Sequence, residues 1–304
     1  MGSKSDSAGK LHQYYTAIYL KEKSNKATVS SPLDDIAHRS SHFNKFSSKP
    51  EDIKPLKKIG LLSADLIQKI VDDDIIHIDD IGVGSGASSH DITDDLVIKT
   101  KNKGEIGFSL KCSKNIGQIL SKNMGAKSLL EQYFGAPNEQ IQFNTYLDAA
   151  HLEFLNKALL NPLDTIPTAK KAIKKDVKSN KRDKARFADK NYFHMNEART
   201  KFLEGLRDKL FTLLNNLKNA QLAKACNLIL DTGKNHILAE YKVNEEKVEY
   251  ISINKKNESD IQSIHKRGND SVVINSGDYS IGFRFKFESG ITSSIKLVGD
   301  YKKN

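Results

Sequence analysis

The stretch Asp91–Lys111, DITDDLVIKTKNKGEIGFSLK, predicts two short strands joined by a tight polar turn. The strands are Leu96–Thr100 and Glu105–Lys111, which are rich in Val, Ile, Leu and Phe. The turn between them, Lys101–Gly104, contains the Asn and Gly that favour chain reversal. Side chains alternate between the two faces of a strand, so the second strand has one apolar and one polar face. The residues expected to face the core are Ile106, Phe108 and Leu110.

The polar face of the second strand lies one strand away from an acidic pair. That face carries Ser109 and Lys111, and the acidic pair, Asp94 and Asp95, comes just before the first strand. Carboxylate oxygens are the hard ligands that Mg²⁺ prefers. Because alternation sends the two Asp side chains to opposite faces, we expect only one of them to bind a cation. The stretch therefore predicts a divalent-cation site beside a fixed lysine.

These residues resemble the PD-(D/E)xK nuclease core, which is found in many type II restriction endonucleases. In that core an Asp opens one strand, and an acidic residue, any residue and Lys end the next strand. Asp94 or Asp95 matches the first position, Lys111 matches the Lys, and Ser109 stands where an acid is usual. The local sequence of the stretch is most similar to that of HaeIII-type enzymes. Some restriction enzymes carry the same SxK form and recruit a carboxylate from elsewhere in the chain.

The resemblance implies a role for each residue in Mg²⁺-dependent hydrolysis of double-stranded DNA at a short specific sequence. Asp94 is the expected bridging metal ligand, because DITD is similar to the sequence that opens this strand in the resembled enzymes. Asp95 assists it or packs outside the site. Lys111 orients the attacking water or steadies the phosphate. The implied enzyme works in a restriction-modification system and is expected to be a homodimer, because two DNA strands need two active sites.

The carboxylate that Ser109 does not supply has two candidate sources. Glu105 shares the face of Ser109, but four residues along a strand span ~13 Å, more than the ~4 Å of a shared two-metal site. Glu131 lies on a helix expected after the following loop, and in some SxK enzymes the acid comes from such a helix. We therefore prefer Glu131. A further candidate base is His90, although a loop histidine is usually just solvated.

The chain of 304 residues has a net charge of +10, and this charge is concentrated in one segment. Lys170–Lys190 contains ten Lys or Arg against three Asp, a net of +7. Basic segments attract polyanions because neutralised phosphates release counterions. We expect DNA contacts from this segment, from the glycine-interspersed stretch after Lys111, and from a C-terminal hairpin with an Arg-bearing face. The residues expected to contact DNA are Lys114, Asn115, Lys122, Lys174, Lys178, Lys181, Arg182 and Arg284.

Apolar residues at helical spacing predict several helices. Ser63 is a candidate helix cap, Ile141 is expected in the core and His151 at the surface. The predicted helices are 11–23, Ile59–Val71, Ala126–Phe134, Asn138–Leu160, Asn196–Leu217 and Gln221–Leu230.

The fold class that this pattern favours is α/β, with a mixed central sheet of restriction-endonuclease type flanked by helices. A helical basic insertion and a β-rich C-terminal part complete it. We expect a nuclease core with N-terminal helices at 1–160 and a basic helical segment at 161–235. The β-rich part at 236–304 is expected to pack on the same body.

Two other functions stay open on the sequence. The stretch Asp80–Gly86, DIGVGSG, matches the glycine turn of AdoMet-dependent methyltransferases, although too few residues follow for a full helix before Leu96. AdoMet binding without metal-dependent cutting would identify that class. A non-catalytic DNA-binding protein would also explain the basic segment, and it would leave duplex DNA intact.

The two cysteines, Cys112 and Cys226, lie far apart and form no ligand pattern. They predict free thiols in a reducing compartment, the cytoplasm. No apolar run approaches the ~20 residues of a membrane span. The N-terminal residues, MGSKSDSAGK, also lack the apolar core of a signal peptide.

Overall fold

The computed structural model describes residues 4–30, 53–80, 95–113, 122–159, 161–179, 193–242, 245–288 and 291–303. The chain forms two compact units, each built from two chain segments. The first unit combines Met1–Ile119 with Asp231–Asn254, and the second combines Leu120–Leu230 with Lys255–Asn304. In chain order the elements are α1 (Lys4–Lys23), β1 (Thr28–Val29), α2 (Lys54–Val71), β2 (Ile75–Asp80), β3 (Leu96–Thr100), β4 (Gly104–Ser113), β5 (Lys122–Gly125), α3 (Leu129–Phe134), α4 (Pro137–Asn156), α5 (Ile166–Ser179), α6 (Phe193–Asn215), α7 (Asn219–Leu230), β6 (Asn235–Lys242), β7 (Glu245–Ser252), a short 3-10 helix (Glu258–Asp260), β8 (Ile261–Arg267), β9 (Ser271–Ser276), β10 (Tyr279–Phe287) and β11 (Ile295–Lys303).

The first unit contains a six-stranded sheet in the order β1-β2-β3-β4-β6-β7. β1 is parallel to β2 and β4 is parallel to β6, while the other neighbours are antiparallel. Parallel neighbours require a long crossover, whereas antiparallel ones need only a short turn. Here the chain between β4 and β6 includes Leu120–Leu230, which belongs to the second unit. The expected α/β class with a mixed central sheet is confirmed.

The two strands predicted from the opening stretch are confirmed as β3 and β4. Gly104 ends the turn between them with a φ of +79°, a conformation that glycine adopts without steric cost. Phe108 and Leu110 lie in the hydrophobic core, and Ile106 packs against it. Full burial of a side chain such as Phe108 stabilises the fold by about 1.5–3 kcal/mol. This burial turns the polar face of β4, with Lys111, away from the core.

Helices α1 and α2 pack against each other and contribute to the core of the first unit. α2 begins at Lys54, earlier than predicted, because Pro55 occupies the first turn, where its missing N–H costs no helical hydrogen bond. Ser63 is not a helix cap. It is fully buried, and its hydroxyl lies 2.8 Å from Nε2 of His12 on α1. The polar contact therefore joins the two helices inside the core.

Acid is expected to destabilise the first unit through His12. Burial lowers the pKa of His12 to about 3. Between that value and the unfolded pKa of about 6.5, the unfolded chain binds a proton that the folded chain does not, so stability falls as pH falls. At pH 5 the expected loss from this group is about 2 kcal/mol relative to neutral pH.

Urea unfolding at pH 7.5 and pH 5.0 measures this effect. The His12→Gln variant is expected to reduce the difference between the two pH values by a similar amount. His265, which is exposed on β8, provides the control, and His265→Gln is expected to leave the difference unchanged. Equal pH differences in parent and His12→Gln would show that His12 does not cause the acid sensitivity.

The second unit contains an antiparallel five-stranded sheet in the order β5-β11-β10-β9-β8. Helices cover one face of it through aromatic contacts: Phe143 stacks on Phe285 with ring centroids 5.8 Å apart, and Phe154 lies 5.5 Å from Phe287. The predicted C-terminal hairpin is confirmed as β10 and β11. The phenylalanines of β10 face inward, and Arg284 is exposed.

Three expectations about the second unit are wrong. Ile141 is exposed, whereas His151 is buried and contacts Phe202 with ring centroids 5.6 Å apart. Burial lowers the pKa of His151 to about 4. Lys122–Gly125 forms strand β5, paired with β11, and is not part of a loop. Pairing with β11 satisfies the backbone groups of both strands, and such tertiary pairing outweighs the local preference of Gly and Asn for turns.

Both cysteines are free, as the sequence predicted. Burial raises the pKa of Cys112 and of Cys226 to about 12, which makes neither thiol a ready nucleophile. Among the residues described, no helix combines the length and apolar character needed to cross a membrane.

Candidate active site

The polar face of the β3–β4 hairpin brings Asp95 and Lys111 together. Asp95 immediately precedes the first residue of β3, and Lys111 lies near the end of β4. The distance between Asp95 Oδ2 and Lys111 Nζ is 3.5 Å. The two side chains are 23% and 36% exposed, respectively, so a ligand from solvent can reach both.

Three donors from β4 converge on one oxygen of Asp95. Oδ2 accepts a hydrogen bond from the backbone amide of Leu110 at 2.7 Å and from the hydroxyl of Ser109 at 3.4 Å, in addition to the contact with Lys111. Hydrogen bonds to an ionised carboxylate are among the stronger ones in proteins. Within the described part of the chain, these donors all reach Oδ2.

Ser109 therefore contributes to the orientation of Asp95. Ser109 is fully buried. A carboxylate at this position would place a second negative charge next to Oδ2 of Asp95, which a hydroxyl donor avoids. The serine thus changes the character of the site from two adjacent acids to one acid held by donors.

Helix α1 holds the backbone of Asp95. The Gln13 side chain donates a hydrogen bond to the carbonyl oxygen of Asp95 at 2.8 Å, and the amide of Asp95 donates to the carbonyl of Phe108 at 2.9 Å. Gln13 is almost fully buried. The sequence analysis missed Gln13. The available signal was a polar pair, His12 and Gln13, inside a helix with apolar spacing.

Strand β6 adds a buried histidine next to the site. His236 lies opposite Ser109 in the parallel pairing of β4 and β6. Its Nε2 is 3.2 Å from the carbonyl oxygen of Asp231, so this nitrogen carries the proton. Burial lowers the pKa of His236, and the charge of Lys111 also lowers it. His236 is therefore a neutral, buried residue of this sheet.

The structure distinguishes the two aspartates only in part. Asp94 lies outside the described residues, as does His90, so their roles stay predictions. Asp95, which was expected to assist, is the carboxylate that contacts Lys111. The alternation of side chains along β3 could have predicted this contact. Because Leu96 faces the core, Asp95, the residue before it, faces the other way.

The two candidates for the additional carboxylate lie in different units. Glu105 belongs to the hairpin itself, where it pairs with Lys99 at 3.1 Å, with both side chains largely exposed. Glu131 is exposed on α3 in the second unit. Its role as a ligand stays a prediction.

Two of the residues expected to contact DNA have described side chains. Lys174 on α5 and Arg284 on β10 are both exposed. Lys122 begins β5 and Lys178 lies within α5, but their side chains are outside the described set. Also outside it are Lys114, Asn115, Lys181 and Arg182.

A magnesium ion fits the donors at this site. Among the described residues no three His, Cys, Asp or Glu side chains form a cluster. Mg²⁺, however, usually keeps several waters and is bound by one or two carboxylates together with substrate phosphates. The partly exposed Asp95 carboxylate meets that requirement.

The chain is similar to the type II restriction enzyme BsuRI of Bacillus subtilis. The two are 30% identical over 261 residues, which cover 84% of this chain and 43% of that enzyme. The chain therefore corresponds to less than half the length of this relative. No family model matches the chain, and no solved structure matches it.

Proposed function

We propose that this chain is a Mg²⁺-dependent endonuclease of the type II restriction class, which hydrolyses phosphodiester bonds at a specific short sequence in double-stranded DNA. The observation that carries the proposal is the contact between Asp95 and Lys111, 3.5 Å apart on neighbouring strands of a mixed sheet. An Asp at the start of one strand and a Lys near the end of the next are the features of the PD-(D/E)xK core. The similarity to a type II restriction enzyme supports the same class.

In this proposal the Asp95 carboxylate would hold the cation, while donors from β4 orient it through Oδ2. When bound, Mg²⁺ would supply Lewis-acid stabilisation of the phosphate and a water of lowered pKa. Lys111 orients the attacking water or steadies the scissile phosphate. Ser109 and the Leu110 amide keep the carboxylate from rotating. Asp94 and Glu131 are proposed as further ligands.

Cleavage of both strands implies a second active site, and we propose that a homodimer supplies it. A closed symmetric pair would present the two sites to the two antiparallel DNA strands. We also propose that the enzyme acts in the cytoplasm as part of a restriction-modification system. These assignments rest on the proposed activity.

The test is to incubate the purified chain with supercoiled plasmid and Mg²⁺. Discrete linear fragments are expected with Mg²⁺, and intact plasmid is expected with EDTA. Intact plasmid under all metal conditions, in the presence of duplex binding, would identify a non-catalytic DNA-binding protein. Transfer of a methyl group from AdoMet to the duplex would identify a methyltransferase.

A further inference from the structure

The five-stranded sheet of the second unit has a polar face opposite the face that carries its phenylalanines. We call it the outer face, and strand alternation assigns its members. The large exposed apolar side chains of the described residues all lie elsewhere in the chain. The polar residues of the outer face with described side chains are Ser263, His265, Arg267, Ser271, Asn275, Ser280, Arg284, Lys286, Lys296 and Lys302. The same alternation places Val273 and Val298 on this face, and both are buried, as is Ser271.

Arg284 stands at the middle of the outer face. It lies opposite Ser271 on one side and Val298 on the other, and both of these side chains are buried. Arg284 itself is exposed. Both cross-strand neighbours are uncharged, so the exposed guanidinium can contact a ligand.

Next to Arg284, two lysines face each other across the strands. Lys286 lies directly opposite Lys296 in the pairing of β10 with β11. Like charges in this position destabilise a sheet. Glu288 is 4.0 Å from the Lys296 ammonium, at the outer limit of an ion pair. The described carboxylates therefore compensate this pair poorly, whereas an anionic ligand would remove the repulsion.

Asp300 is an acidic residue of the outer face and lies opposite Gly282, and the Asp270 carboxylate lies beside the face, where it accepts a hydrogen bond from the Ser271 hydroxyl at 2.8 Å. The Asp300 side chain is outside the described set. Even with Asp300, Asp270 and the neighbouring Glu288 counted, the cations are in excess, because the outer face carries Arg267, Arg284 and three lysines. Ser271 is buried and donates to Asp270, and Asn275 donates to Ser263, so the cations are the groups on this face that would contact phosphate oxygens.

We propose that the outer face docks on the phosphate backbone of duplex DNA, with Arg284, Lys286 and Lys296 as phosphate ligands. This inference rests on the proposed function and adds a binding surface to it. Cations on a sheet suit phosphates, and β-sheets are known to dock on duplex DNA. The scarcity of exposed apolar side chains disfavours a hydrophobic protein partner.

The test uses the full chain and a labelled duplex in EDTA, so that no cleavage occurs, over a series of KCl concentrations. The variant Lys286→Gln/Lys296→Gln is expected to reduce the slope of log K against log salt by about 2, because each phosphate contact contributes about 1. Arg284→Gln is expected to reduce it by about 1. The control Lys69→Gln/Lys218→Gln removes the same charge from exposed positions outside the sheet and is expected to preserve the slope.

Thermal unfolding separates binding from a structural role. Removal of the Lys286–Lys296 repulsion is expected to leave the unfolding midpoint unchanged or to raise it. Weaker binding together with a lower midpoint would overturn the inference in favour of a structural role. Equal slopes for the double variant and its control would also overturn it, while the proposed endonuclease would stand if the parent still binds and cuts. A parent that does not bind duplex at all would overturn both proposals.

Discussion

The Lys111→Ala variant is expected to lose plasmid cleavage by about 10³-fold while it still binds duplex. The ammonium is the cation next to the Asp95 carboxylate, and removal of one group that stabilises transition-state charge commonly costs 10²–10³-fold in rate. The fold is expected to survive, because the side chain is 36% exposed and Oδ2 of Asp95 keeps two donors from β4. Single-turnover cleavage with Mg²⁺ measures the rate, and duplex binding in Ca²⁺ measures affinity.

Lys99→Ala is the matched control for this experiment. Lys99 belongs to the same hairpin and is half exposed, but it pairs with Glu105 instead of Asp95. We expect the Lys99 variant to cut at a rate close to the parent. Cleavage by Lys111→Ala at the parental rate would show that the site is assigned to the wrong lysine.

Asp95→Asn is expected to slow cleavage about as much as Lys111→Ala, by about 10³-fold, because the cation is lost. The substitution keeps the shape of the side chain but removes the charge that holds Mg²⁺ near the phosphate, which is worth several kcal/mol at the transition state. Titration of Mn²⁺ by electron paramagnetic resonance provides a readout that does not depend on activity. We expect Mn²⁺ binding to weaken in Asp95→Asn, whereas Lys111→Ala retains the ion.

Glu105→Gln is the control for the aspartate. It removes a carboxylate from the same face of the same hairpin, and we expect it to preserve both Mn²⁺ binding and cleavage. The opposite pattern, with an inactive Glu105→Gln and an active Asp95→Asn, would show that the cation binds beside Glu105 and not beside Asp95.

The two predictions separate the roles of the ion pair. Asp95 and Lys111 contact each other, so the loss of either leaves the other with one fewer partner. A rate defect common to both variants, combined with a metal-binding defect confined to Asp95→Asn, would distinguish a cation ligand from a phosphate contact. Equal metal-binding defects would indicate that Lys111 mainly orients the carboxylate.

Local sequence patterns were sufficient to predict the β3–β4 hairpin and the face of β4 on which Lys111 lies. Turn residues and alternation act over a few positions, and burial of Phe108 ties that alternation to one orientation. The same reasoning identified the C-terminal hairpin and the face that carries Arg284. The resemblance to a restriction enzyme could likewise be stated from this stretch.

Other features depended on contacts between distant parts of the chain. The pairing of β4 with β6 joins residues more than a hundred positions apart, and Gln13 reaches Asp95 across 82 residues. β5 is a strand because β11 offers it a partner, and His151 is buried because Phe202 packs on its ring. Backbone pairing and burial at long range depend on the whole folded chain, so neither the local propensity of Lys122–Gly125 nor the polarity of a histidine could reveal them.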